Sequence, residues 1–170
     1  DKSENNWFGD WANEYDQTIG KVKRHLNLLD LVVAEAQVKS KDIVLDMGCG
    51  TGLLALKFLE KYDCNILGID SSQEMLSIFQ KKIDDLGLNE KASCKHEDFT
   101  NIGFNEEKFD IIVCTFTLHH IKNKYEIVKN IYKMLKTGGR FIIGEIDMDT
   151  TGDVRDPERL MRIMDYLKME

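Results

Sequence analysis

At 170 residues the chain is long enough for one packed domain and too short for two. Hydrophobic residues make up 42% and charged residues 31%, an ordinary globular balance. The formal net charge of -7 at pH 7 repels a phosphate backbone, so nucleic acid is not an expected partner. Apolar runs last only a few residues before a charge interrupts them, so no membrane span is predicted. The polar, acidic N-terminus lacks a secretory leader pattern, and a start at Asp1 rather than Met reads as a trimmed or partly observed product. Cys49, Cys64, Cys94 and Cys114 are widely spaced with no C-x-x-C pair, which argues against a metal site. They read as small buried hydrophobes in a cytoplasmic setting.

In chain order, the first segment carries Trp7, Trp11 and Tyr15 four residues apart, one stripe of a short helix that can dock on the main body. From Lys21 to Val38 the residues Val22, Leu26, Leu29, Val33 and Ala36 repeat at helical spacing. The period then changes. Asp42 to Asp46 is a short apolar run ending at a glycine cluster, as a buried parallel strand does. A helix is predicted over Leu53–Tyr62, a strand over Asn65–Ile69, and a helix over Ser72–Leu86 that Gly87 closes. Strands follow at Lys91–His96 and Phe109–Cys114, a helix at Tyr125–Leu135, and a strand at Arg140–Ile146. Such alternation implies parallel pairing through βαβ crossovers, with ligands bound at the carboxyl ends of the strands.

The first strand runs into Asp46-Met47-Gly48-Cys49-Gly50-Thr51-Gly52 and then directly into a helix. Glycines at a βα turn let the backbone turn tightly and a ligand come close. A dinucleotide fingerprint needs G-x-G-x-x-G, and the third glycine position is here Leu53, because Gly52 arrives one residue early. The strand also ends in a carboxylate, Asp46, which serves a pyrophosphate poorly and a cationic head such as a sulfonium well. The electrostatics therefore favour S-adenosylmethionine over NAD.

The run Val44 to Gly52 resembles the first motif of class I S-adenosylmethionine-dependent methyltransferases, and the resemblance extends over roughly residues 40–146. It implies an α/β fold: a Rossmann-like, mostly parallel sheet flanked by helices. Five strands are visible here, and the usual last two are not found. The resemblance further implies that Asp46, Gly48, Cys49, Gly50 and Gly52 line the methionine end of the cofactor. Asp70 matches the acid that holds the ribose hydroxyls, although an acid there also suits a helix N-terminus. Asp98 matches the acid that binds the adenine amino group. Phe99 is then placed to pack on the ring, with Ser71 or Met75 on its other face. Thr115 and Phe116 lie, by analogy, near the sulfonium methyl group, and Tyr15 joins the expected cofactor contacts. The segment Leu118-His119-His120-Ile121 resembles a fourth motif found in small-molecule methyltransferases. His119 or His120 can face the acceptor as a base, or serve structurally.

Branch-specific acceptor motifs are missing. After the fourth strand there is no Asn- or Asp-Pro-Pro-aromatic segment, no loop of paired glutamates and no acidic metal-ligand set, and Pro157 is the lone proline. A small-molecule acceptor is expected by elimination, with S-adenosylhomocysteine as the cofactor product. The target atom stays open, as does the need for a base. A non-catalytic cofactor-binding module or partner subunit is the alternative, ahead of an NAD(P) enzyme.

The organisation expected is an N-terminal helical segment over residues 1–38, the cofactor-binding α/β domain over 39–150 and a C-terminal helix over 151–170. That helix begins at Asp156-Pro157 and carries Leu160, Ile163, Met164 and Leu167 as an apolar stripe, as part of the domain or as a lid. Without the usual last strands the fifth strand would be an open apolar edge. The expectation is that the chain continues past Glu170 or that another subunit, as in a homodimer, covers this side.

Overall fold

The computed structural model describes residues 12, 14–98, 102, 107–118, 121 and 123–145. Five strands form one sheet in the order β3-β2-β1-β4-β5, every neighbouring pair parallel. They are β1 (Ile43–Met47), β2 (Asn65–Asp70), β3 (Ala92–His96), β4 (Phe109–Thr115) and β5 (Leu135–Gly144). The helices are α1 (Lys23–Glu35), α2 (Leu53–Lys61), α3 (Gln73–Asp85) and α4 (Lys124–Met134). The strand order reverses between β1 and β4, so the crevice outside their carboxyl ends is where this architecture binds ligands.

Alternation along β1 decides which side chain meets which layer. Val44 packs with Leu29, Val33, Leu54, Phe58, Phe79 and Ile83, the face covered by α1, α2 and α3. Leu45 and Met47 pack with Ile112, Cys114, Ile127, Ile131 and Met134, the face covered by α4. Asp46 has the parity of Val44 and is only 1% exposed. The fold therefore places a carboxylate among the apolar residues of one layer.

Local chemistry fixes the ends of the elements. Ser72 caps α3 by accepting a hydrogen bond from the Met75 amide at 3.2 Å. The helix closes at Gly87, where the Leu88 amide donates back to Ile83 O at 2.9 Å. Asn123 caps α4 in the same way, accepting from Glu126 N.

Two expectations shift. The buried stripe of α1 is His25, Leu29, Val32 and Val33, continued by Ala36, whereas Val22 is 45% exposed. The first turn of α1 starts at Lys23, one residue after Val22, which leaves Val22 outside the helical face. The last strand begins at Leu135 rather than Arg140. Phe109 pairs with Leu135 and Ile111 with Arg140, so residues 136–139 bulge from the ladder. Lys136 is tied there to Asp110 at 2.7 Å, and the same carboxylate oxygen accepts the Ile43 amide at 2.8 Å. Among the described residues β5 is the edge of the sheet, and no helix is long and apolar enough to cross a membrane. The expected C-terminal helix, and Trp7 and Trp11, lie outside the described residues.

Candidate active site

The carboxyl ends of β1, β2 and β4 converge on one crevice. The Asp46 carboxylate sits at its floor, and among the described residues neither of its oxygens has a hydrogen-bond partner. Burial, with the nearby Asp70 charge adding to it, pushes the Asp46 carboxyl up to about 7. A buried carboxylate without donors is costly unless a cation or donor arrives to meet it. It lines a cavity of about 40 Å³ together with Tyr15, His25, Gly48, Gly50, Thr115 and Phe116.

The glycine turn wraps over this carboxylate. The amides of Gly48 and Cys49 both donate to Ile69 O, at 2.8 and 3.0 Å, which pins the turn to the end of β2. Two of its glycines differ in purpose. Gly52 has φ +82°, and a Cβ there would drive into the Phe79 ring, so its bareness lets α2 and α3 pack. Gly50 has φ +53°, and a Cβ there would meet none of the described residues within 4 Å. The open space above Gly50 is where a ligand can lie against the backbone. Cys49 is buried, and its thiol is held well above the ordinary range by desolvation first and the Asp46 and Asp70 charges after it. It is an inert packing residue of the turn.

Asp70 grips the same turn from β2. Its carboxylate accepts the Gly50 amide on one oxygen and the Ser72 amide on the other, both at 2.8 Å. Burial raises its pKa and these hydrogen bonds oppose the rise. The helix cap itself is Ser72. Ser71 is exposed and its carbonyl lies 2.9 Å from His96 Nε2; Met75 is buried, and Asp98 is exposed. Phe99, His119 and His120 lie outside the described residues.

After β4 the chain turns sharply. Thr115 is buried, and Phe116 has φ +53°, a left-handed conformation uncommon for a bulky residue. The Glu145 carboxylate holds this turn, accepting the Thr117 amide at 3.0 Å and the Leu118 amide at 2.7 Å. Strain held in place by surrounding bonds is common at functional sites.

The N-terminal segment supplies the remaining wall. His25 stacks on Phe116 with centroids 4.5 Å apart, and Tyr15 meets His25 edge-on at 6.3 Å. Burial first, then the charges of Asp16, Asp70 and Asp46, raises the Tyr15 hydroxyl to about 12, so it remains a donor. Sequence reasoning placed Tyr15 here and missed His25. Its signal was present: His25 precedes Leu29, Val32, Val33 and Ala36 at helical spacing, a polar residue on the apolar face. Glu145, in the segment read only as strand, gave no comparable signal.

The family pattern described as a methyltransferase domain matches residues 44–139. A demethylmenaquinone methyltransferase of Lactobacillus johnsonii is 31% identical over 67% of this chain and 48% of its own length. A ubiquinone biosynthesis O-methyltransferase of Coxiella burnetii is 31% identical over 86% of this chain and 63% of its own. The chain thus spans about half to two thirds of the relatives it matches. Among solved structures, coclaurine N-methyltransferase bound to N-methylheliamine and S-adenosylhomocysteine superposes with a TM-score of 0.65. It is 25% identical, over 69% of this chain and 34% of that one.

Proposed function

Because the chain belongs to the methyltransferase-domain family matched over residues 44–139, we propose that it binds S-adenosylmethionine and transfers the methyl group to a small-molecule acceptor. The observation that carries this reading is the Asp46 carboxylate, 1% exposed and with no hydrogen-bond donor to either oxygen among the described residues. A cationic ligand resolves that imbalance, and a diphosphate aggravates it. The donor set fits the cofactor in other respects. Gly50 leaves room at the backbone, and Asp70 presents carboxylate oxygens that can accept from ribose hydroxyls; by the family resemblance, Asp98 is the group for the exocyclic amine.

When bound, the sulfonium supplies an activated methyl group with a neutral thioether as leaving group. The work left to the chain is alignment and exclusion of water. Asp46 balances the cationic end. Thr115 and Phe116, at the end of β4, form the wall toward which an acceptor approaches. His25 and Tyr15 close that wall from the N-terminal side. An acceptor that enters protonated needs a base, for which His119 and His120 are the proposed groups; a thiolate or carbanion needs none. The small-molecule class of acceptor is supported by the two relatives, one a demethylmenaquinone methyltransferase and the other a ubiquinone biosynthesis O-methyltransferase.

Calorimetry with S-adenosylmethionine, S-adenosylhomocysteine and NADH tests the cofactor. Micromolar binding of the first two and none of NADH is expected; the reverse would overturn the reading. Methyl transfer to a panel of phenols, amines, thiols and quinol-like acceptors then separates an enzyme from a binding module.

A further inference from the structure

Asp16 lies where three parts of the molecule meet. One of its oxygens accepts the Thr51 hydroxyl at 2.6 Å, and the other pairs with Lys82 Nζ at 2.5 Å. Lys82 also donates to the Thr51 carbonyl at 2.9 Å. The three groups thus form a closed triangle between the N-terminal segment, the glycine turn and the last turn of α3. This is no loose surface pair: Lys82 and Asp16 side chains are 24% and 28% exposed, and Thr51 is 1% exposed.

The triangle ties down a wall of the cavity. Tyr15, beside Asp16, meets His25 edge-on, and His25 stacks on Phe116, so the segment forms one wall of the cavity over Asp46. That cavity is about 40 Å³. Asp46 on its floor is 1% exposed, so a ligand reaches that carboxylate only when a wall of this cavity moves. Much of the wall is built from rigid sheet ends and the pinned glycine turn. The segment carrying Tyr15 and Asp16 is joined to them by this polar triangle and by the Tyr15–His25 ring contact.

We infer that Asp16, Lys82 and Thr51 are a latch that opens to admit the cofactor and holds the N-terminal segment closed behind it, with Lys82 a positioning residue. The inference rests on the proposed cofactor reading for the identity of the ligand, and on geometry alone for the latch. Its electrostatic part is screened by salt, because the pair is partly exposed.

The test uses the whole chain with Lys82→Met, Asp16→Asn and the charge-swapped pair Asp16→Lys with Lys82→Asp. Amide hydrogen exchange of residues 14–21 is measured without ligand, and S-adenosylhomocysteine release is measured by chase. Each single variant is expected to speed exchange of residues 14–21 about tenfold while β1 and β4 amides stay protected. Release is expected to quicken by a similar factor. Raising NaCl from about 50 mM to about 1 M should speed exchange in the parent chain and leave Lys82→Met unaffected. The swapped pair should restore part of the protection. Exchange of residues 14–21 within twofold of the parent in both single variants would overturn the latch. If the parent chain binds no S-adenosylhomocysteine, the cofactor reading fails, and the exchange measurement still decides the latch. Should Lys82→Met lose protection in β1 and β4 as well, Asp16→Asn, close in shape to the native side chain, gives the deciding comparison.

Discussion

The imidazole of His25 lies against the ring of Phe116, centroids 4.5 Å apart and planes 16° from parallel. This contact couples the first helix to the strained turn that follows β4. His25→Phe should preserve the stack and melt within about 1 °C of the parent. His25→Ala should leave a void and cost on the order of 2 kcal/mol. Burial lowers the His25 pKa from 6.5. Its contribution to stability is therefore present above 6.5 and lost as pH falls through the lower folded value. Melting curves from pH 5 to 8 should show this acid-side loss in the parent and not in His25→Phe.

Asp46 titrates in the opposite sense. Its folded pKa is raised from 3.8 to about 7, so its contribution to stability is complete below 3.8 and lost as pH rises through about 7. At about 1.4 kcal/mol per pKa unit, Asp46→Asn should stabilise the ligand-free chain by up to about 4 kcal/mol above pH 7. The same substitution should abolish S-adenosylmethionine binding by calorimetry. A variant that melts higher and binds normally would contradict the assignment of Asp46.

The two glycines should separate stability from binding. Gly52→Ala pushes a Cβ into the Phe79 ring at a left-handed φ, and a loss of about 3 kcal/mol or more is expected. Gly50→Ala meets no neighbour, so its cost is the left-handed backbone alone, about 1 kcal/mol. Cofactor affinity should nonetheless fall at least about tenfold in Gly50→Ala, since the methyl occupies the open approach. Denaturant melts and calorimetry on both variants check the contrast.

Glu145 gives a fourth prediction. Its carboxylate accepts two amides of the turn after β4, and hydrogen bonds to a charged group are worth roughly 1.5–3 kcal/mol. Glu145→Ala should destabilise the chain by about 2 kcal/mol and lower methyl-transfer turnover more than cofactor affinity, because Thr115 and Phe116 form the proposed acceptor wall. Equal loss of both would argue that the turn supports the cofactor instead.

Much of the site was legible because the crevice forms where strands end, and strand ends are marked by changes of period and by glycines. Asp46, the glycine turn and Asp70 follow one another at strand termini, and the structure brings them together through β1 and β2 pairing in register. Asp98 and Ser71 fall at strand ends too, yet both are exposed. The latch was not legible. Thr51 and Asp16 stand 35 positions apart, and no local pattern announces that their side chains meet. His25 was hidden for a related reason: a single polar residue on an apolar stripe is read through when the stripe itself is being sought.

The order of strands and helices, the parallel sheet and a carboxylate beside a glycine turn were determined by the sequence itself, because hydrophobic period and backbone conformational freedom are local properties. The tertiary structure alone decided that Asp46 has no donor among the described residues, that His25 faces Phe116, and that Asp16 meets Lys82 and Thr51. Those outcomes depend on which distant surfaces exclude water from one another, and solvent exclusion is a property of the packed whole.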